Sequence, residues 1–134
     1  MSQETRENRG VLEFVASAFT AVGNYIGQYC SIREKTLRDQ TEQIREEPGV
    51  IDMLTLRSVV EWLTEHRPAA KNINAVLLRT QHAEGLRLTT VFITPSGVPL
   101  TDDRGHLRGR VQRVLEIDSE LQEFFGNRNM LLFK

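Results

Sequence analysis

The feature that most constrains this chain is an uninterrupted apolar seam near its start. Val11, Val15, Ala18, Val22, Tyr25, Tyr29 and Ile32 follow one another at alternating steps of four and three residues. That spacing puts them on one stripe of an α-helix, and Phe14, Phe19 and Ile26 widen the stripe. The charged continuation, REKTLRDQTEQIREE, keeps only Leu37 and Ile44 on the same face. Opposite charges such as Glu34 and Arg38 stand there at helical spacing. Glu46-Glu47-Pro48-Gly49 ends the pattern, because proline disfavours α conformation in the residue before it. The sequence therefore predicts a helix of about 38 residues, roughly 57 Å long at 1.5 Å per residue. A helix of that length is wider than a globule of this size, so it is expected either to break near Ser31 or to pair with another chain.

Residues 51–66, IDMLTLRSVVEWLTEH, repeat the amphipathic pattern. Met53, Leu56, Val60 and Leu63 share one face, Ile51, Val59 and Trp62 flank it, and Pro68 closes the segment. A turn at Pro48-Gly49 allows this second helix to fold back on the first. From Asn74 the periodicity changes. NAVLLRTQHA and LRLTTVFIT, separated by Glu84-Gly85, are rich in Val, Leu, Ile, Thr and Phe and read as a β-hairpin. Thr94-Pro95-Ser96-Gly97 reads as a second turn, residues 98–100 as a short strand, and Asp102-Asp103-Arg104-Gly105 as a third turn. Residues 106–117, HLRGRVQRVLEI, fit either element; Gly105 and Gly109 argue against a helix, so a strand is expected. Ser119-Glu120-Leu121-Gln122 matches a capping box opening a short helix to Phe125, with Gly126 as its C-cap. NMLLFK closes the chain as a strand.

The expected class is α+β. A long N-terminal amphipathic helix and a second helix, arranged as a helical hairpin or a coiled coil, precede a small, mostly antiparallel sheet of four to five strands with one short helix. Residues 1–70 are expected to be a helical region for oligomerisation or partner binding. Residues 71–134 are expected to be a strand-rich region that shares a core with the second helix.

The 134 residues match one ordinary domain. The single cysteine, Cys30, permits no internal disulfide. The polar start, MSQETRENRG, is unlike a signal peptide, and no uncharged apolar run reaches the about 18 residues a spanning helix needs. A cytoplasmic protein with no transmembrane segment is expected. Net charge is −1, so the whole-molecule field does not point to nucleic acid. Residues 71–115, however, carry seven basic and three acidic side chains, with Arg used far more than Lys. Arginine's planar fork suits carboxylate and phosphate.

Motifs for chemistry are sparse. His66, His82 and His106 form no HxH, HExxH or His/Cys cluster, so no metal site is expected. DRGHLRGR lacks the lysine and spacing of a phosphate loop, and no cofactor is expected. Asp102-Asp103 reads first as a pair of turn-shaping acceptors. The sharpest local feature is Arg104, His106, Arg108 and Arg110. On a strand these alternate positions share one face, which makes them candidate anion ligands; the competing reading is a solvated outer face. Gly23-Asn-Tyr-Ile-Gly27 is a small-residue spacing that permits close helix approach.

These observations favour a non-enzymatic interaction or assembly protein. It would self-associate or bind another protein through the helix face of Val11, Val15, Phe19, Val22, Tyr25, Ile26, Tyr29 and Ile32. The alternatives are an anion or nucleic-acid binding module built on the arginine row, and a small enzyme assembled from dispersed residues such as Asp102, Asp103, His82 and His106.

Overall fold

Four consecutive apolar residues, Ala75 to Leu78, are all buried, although neighbours in a strand point to opposite faces. They require a sheet covered on both sides. The computed structural model describes residues 34–69 and 72–133. In chain order the elements are a helix over 34–41 (α1), Glu46–Leu54 (β1), Leu56–His66 (α2), Asn74–His82 (β2), Gly85–Ile93 (β3), Gly109–Ile117 (β4), Ser119–Phe125 (α3) and Met130–Phe133 (β5). The strands form one sheet in the order β1-β4-β3-β2-β5. The β1–β4 pairing is parallel and the other three are antiparallel. α2 therefore crosses from one edge of the sheet past β4 and β3 to reach β2.

One face carries the larger core. Leu56, Val59, Val60 and Leu63 of α2 and Leu121 and Phe125 of α3 pack with Ala75, Leu77, Leu88, Phe92, Val114 and Leu131. Fully burying one such side chain contributes about 1.5–3 kcal/mol. The helices on this face share an anchor. Thr55 Oγ1 accepts the Ser58 N–H at 3.1 Å at the start of α2. Asp118 Oδ1 accepts the Leu121 N–H at 2.9 Å at the start of α3, and the same carboxylate accepts the Leu56 N–H at 3.3 Å. On the opposite face, Leu37 of α1 packs with Val76, Leu78, Val91, Ile93 and Met130, with Ile44 and Leu132 alongside. α1 thus covers the part of this face nearest those residues.

β3 and β4 approach closely at two glycines. A Cβ on Gly85 would lie 2.4 Å from the Val114 carbonyl oxygen, and one on Gly109 would lie 2.4 Å from the Thr90 carbonyl oxygen.

The architecture corrects the expected helical first half. α1 stops at Thr41, and residues 46–54, assigned from the sequence to the end of one helix and the start of the next, are the edge strand β1. The described chain has three short helices and a five-stranded mixed sheet. It has no helix running to Pro48 and no helical hairpin across Pro48-Gly49. The physical reason is that Pro48-Gly49 is a bulge inside a strand rather than a turn between helices. Glu46 pairs with Val111 and Val50 with Arg113, so four steps along β1 match two along β4. Gly49 absorbs the distortion with φ +90. The spacing of Met53, Leu56, Val60 and Leu63 straddles a strand and a helix, which meet at the Thr55 cap. The seam of Val11 to Ile32 lies outside the described residues.

Smaller differences follow local chemistry. Residues 98–100 make one isolated bridge, Pro99 with Ile93, in place of a strand, and a second bridge joins Thr101 to Leu107. The cap of α3 is Asp118, one residue before the expected box, and Gly126 closes the helix with its N–H on the Gln122 carbonyl.

Candidate anion-binding face

The strand register builds a row of polar side chains across the sheet. β2–β3 pairing sets Thr80 opposite Arg87, and β3–β4 pairing sets Arg87 opposite Arg113. Because each pairing keeps partners on the same face, the three project together on the face that α1 partly covers. α1 adds Arg38, whose guanidinium donates to Thr80 Oγ1 and to the Arg79 carbonyl at 2.8 Å. Arg38, Arg87, Thr41, Thr80 and Thr89 then line a cavity of about 100 Å³ with Leu78 and Glu42.

The arginines differ in their partners. Arg38 Nε lies 3.5 Å from Glu34. Arg113 Nε lies 3.1 Å from Glu46 Oε1, an ion pair by distance rather than an aligned hydrogen bond. Its Nη2 lies 3.2 Å from His82 Nε2. Arg87 has no carboxylate partner among the described residues, and its buried Nε has no hydrogen-bond partner. Like charges directly opposite on neighbouring strands are destabilising, by about 0.2–1 kcal/mol in typical pairs. Glu46 relieves Arg113, whereas Arg87 makes no ion pair among the described residues. With Glu34, Glu42 and Glu46 close by, the face has no large net charge. Its positive charge is concentrated at the forks of Arg87 and Arg113, a geometry that suits an oxyanion.

The residues singled out from the sequence are distributed elsewhere. Arg104 and His106 belong to the exposed turn that opens at Asp102. Asp102 Oδ1 accepts the N–H groups of Arg104 at 2.8 Å and His106 at 2.9 Å, and Oδ2 lies 3.7 Å from His106 Nδ1. The His106 and Arg104 amide bonds, helped by the charges of His106 and Arg108, hold the Asp102 carboxyl below the usual carboxylate range. Arg108 has an exposed side chain and a backbone bonded to Leu100 and Phe92. Arg110 alone of the four lies within β4. Its guanidinium stands 4.6 Å over the Trp62 ring beneath α2, on the opposite face from Arg113. Burial lowers its pKa, and Glu47 opposes that shift. The structure therefore brings Asp102 and His106 together, places His82 beside Arg113, and does not gather the four basic residues into one row.

No protein family model matches this sequence, and no characterised protein or solved structure is significantly similar to it. Among the described residues no three His, Cys, Asp or Glu side chains are grouped to hold a metal ion, and no helix is long and apolar enough to cross a membrane. Wider hollows also lie among the described residues. One, of about 530 Å³, includes Arg79, but that guanidinium is committed to Asn129 Oδ1 and the Arg128 carbonyl. Another, of about 580 Å³, is lined by Arg45, His106 and their neighbours in two surface loops.

Sequence reading missed Arg38, Arg87 and Arg113. The Thr80–Arg87 pairing was within reach, since the two-residue link at Ala83-Glu84 sets the hairpin register. The Arg87–Arg113 pairing was not, because it depends on how a long connection returns β4 to β3.

Proposed function

We propose that this chain is a non-enzymatic recognition module that binds an oxyanion group through Arg87 and Arg113, with Arg38 and Thr80 shaping the adjoining cavity. The group is a phosphate or a carboxylate, free or carried by a partner molecule. The observation that carries this reading is the direct opposition of two arginines of which, among the described residues, only Arg113 has a carboxylate partner. An anion seated between them would remove a repulsion that the fold otherwise retains. A reducing compartment such as the cytoplasm accommodates the lone Cys30, and we place the protein there.

The test is calorimetric titration with inorganic phosphate and with acetate at two ionic strengths. Binding should weaken as salt rises and fall about tenfold or more in Arg87→Gln. Binding that is indifferent to Arg87→Gln would rule the reading out.

A second reading, self-association through the apolar residues of 11–32, is supported by their spacing in the sequence alone. A monodisperse monomer across a concentration series in light scattering removes it.

A further inference from the structure

His82 stands where the arginine row meets the turn between β2 and β3. Its Nε2 lies 3.2 Å from Arg113 Nη2, and its Nδ1 faces the Glu84 backbone N–H at 3.4 Å. Arginine and a backbone amide nitrogen only donate. A neutral imidazole has one acceptor nitrogen and one N–H. One of the two contacts therefore sets a hydrogen against a hydrogen. When Nε2 accepts from Arg113, over the shorter contact, the Nδ1–H faces the Glu84 N–H; in the other tautomer the Nε2–H faces the Arg113 Nη2–H. An oxygen that displaces the Arg113–His82 contact, with the two side chains moved apart, accepts from both Nη2 and a protonated Nε2.

The charged groups around this end of the face are Arg113 on β4, Arg87 on β3, Arg38 on α1, Glu84 in the turn, and Glu46 on β1 paired with Arg113. Without an anion, a proton on His82 would set a further positive charge against Arg113, on the face that also carries Arg87. A doubly charged oxyanion seated among them reverses that balance. The protonated ring then donates from Nε2 to the anion, and the one hydrogen bond the neutral ring accepted, from Arg113 or from Glu84, is given up.

We infer that His82 is a third ligand of this face, and that a tetrahedral dianion binds there together with a proton taken from solvent onto His82. The inference rests on Arg87 and Arg113 forming the anion site. It deepens that reading by favouring a sulfate-like or phosphate-like dianion over a carboxylate. Anion and proton then bind with positive coupling, and by linkage each strengthens the other equally.

Sulfate is the probe, because it keeps both charges across the range in which histidine titrates, whereas phosphate does not. The full chain is titrated with sulfate at about pH 6 and about pH 8 at matched ionic strength. Wild type is compared with His82→Gln, His82→Asn and Arg87→Gln, each checked for an unchanged circular dichroism spectrum. Wild type should bind about tenfold more tightly at the lower pH, and its heat should vary with the ionisation enthalpy of the buffer. Both His82 variants should bind equally at the two pH values. Equal wild-type affinity at both, or a pH dependence that survives in the folded His82 variants, overturns the role of His82 and leaves the arginine site standing. Sulfate binding untouched by Arg87→Gln overturns the arginine site itself.

Discussion

Arg87 on β3 lies directly opposite Arg113 on β4, and of the two only Arg113 is paired with a carboxylate among the described residues, Glu46. The fold holds this opposition at some cost. Arg87→Gln should therefore raise the melting temperature slightly in a low-salt buffer free of multivalent anions. A gain below about 1 kcal/mol is expected, or about 3 °C for a domain of this size. The same variant should lose the stabilisation that sulfate gives wild type. Melts with and without sulfate check both signs, and a variant that is less stable in the anion-free buffer contradicts the first.

Asp118 joins the starts of two helices through one carboxylate, accepting from Leu121 and Leu56. Asp118→Ala removes the cap of α3 and leaves a second amide near the core without its acceptor. A loss of about 1–3 kcal/mol is expected in urea unfolding. Asp118→Asn, which keeps an acceptor oxygen, should recover a good part of it. If both variants unfold like wild type, Asp118 is no anchor.

The hairpin and α3 were legible in the sequence because their signals are local. Glu84-Gly85 separates two β-rich runs, and Gly126 sits one residue past a short amphipathic turn. β1 was not legible. Its four exposed positions from Glu47 to Val50 give no alternation, and its pairing is parallel, with a strand some sixty residues later. Pro48-Gly49 carries the same letters whether it ends a helix or bulges a strand, and only the partner strand decides. The candidate site failed to show for a related reason. The sequence suggests a charged row along one strand, at Arg104, His106, Arg108 and Arg110, whereas the polar row of Thr80, Arg87 and Arg113 runs across three strands. Cross-strand neighbours are set by register, which no single segment contains.

Gly109 tests that register. A Cβ there would meet the Thr90 carbonyl oxygen at 2.4 Å, with the Val91 Cα at 3.1 Å. Both are backbone atoms that cannot turn aside. Gly109→Ala should cost about 3 kcal/mol, as overpacking does. Gly105 has nothing within 4 Å of its Cβ position and a φ of +81, so Gly105→Ala should cost only about 1 kcal/mol of backbone strain. Chemical denaturation of the two variants compares them, and equal losses would place the β3–β4 contact elsewhere.

Asp102 should titrate below the ordinary aspartate value of 3.8, because the His106 and Arg104 amides bind its ionised form. A depressed carboxyl adds stability that is present above its unfolded pKa and is lost as pH falls through the lower folded value. The turn at Asp102–Gly105 should therefore persist in mild acid and open only below that range. Carboxyl carbon shifts followed by NMR give the midpoint, and a midpoint at or above 3.8 would show that the amide bonds do not hold in solution.

Thr90 poses the sharpest packing question. It is 1% exposed, between Leu77 and Arg110 in the register, and its Oγ1 has no hydrogen-bond partner among the described residues. The buried Oε1 of Gln112, on the same face of β4, is also unpartnered. A buried hydroxyl left unsatisfied costs about 1–3 kcal/mol, and valine has the same shape without the oxygen. Thr90→Val should therefore stabilise the fold by about 1 kcal/mol, raising the urea midpoint with an unchanged slope. The sign discriminates between two physical situations. A gain means that the hydroxyl is buried dry beneath α2. A loss of similar size means that a water bridges Thr90 to Gln112 or Arg110, because valine would strand that water's remaining partners.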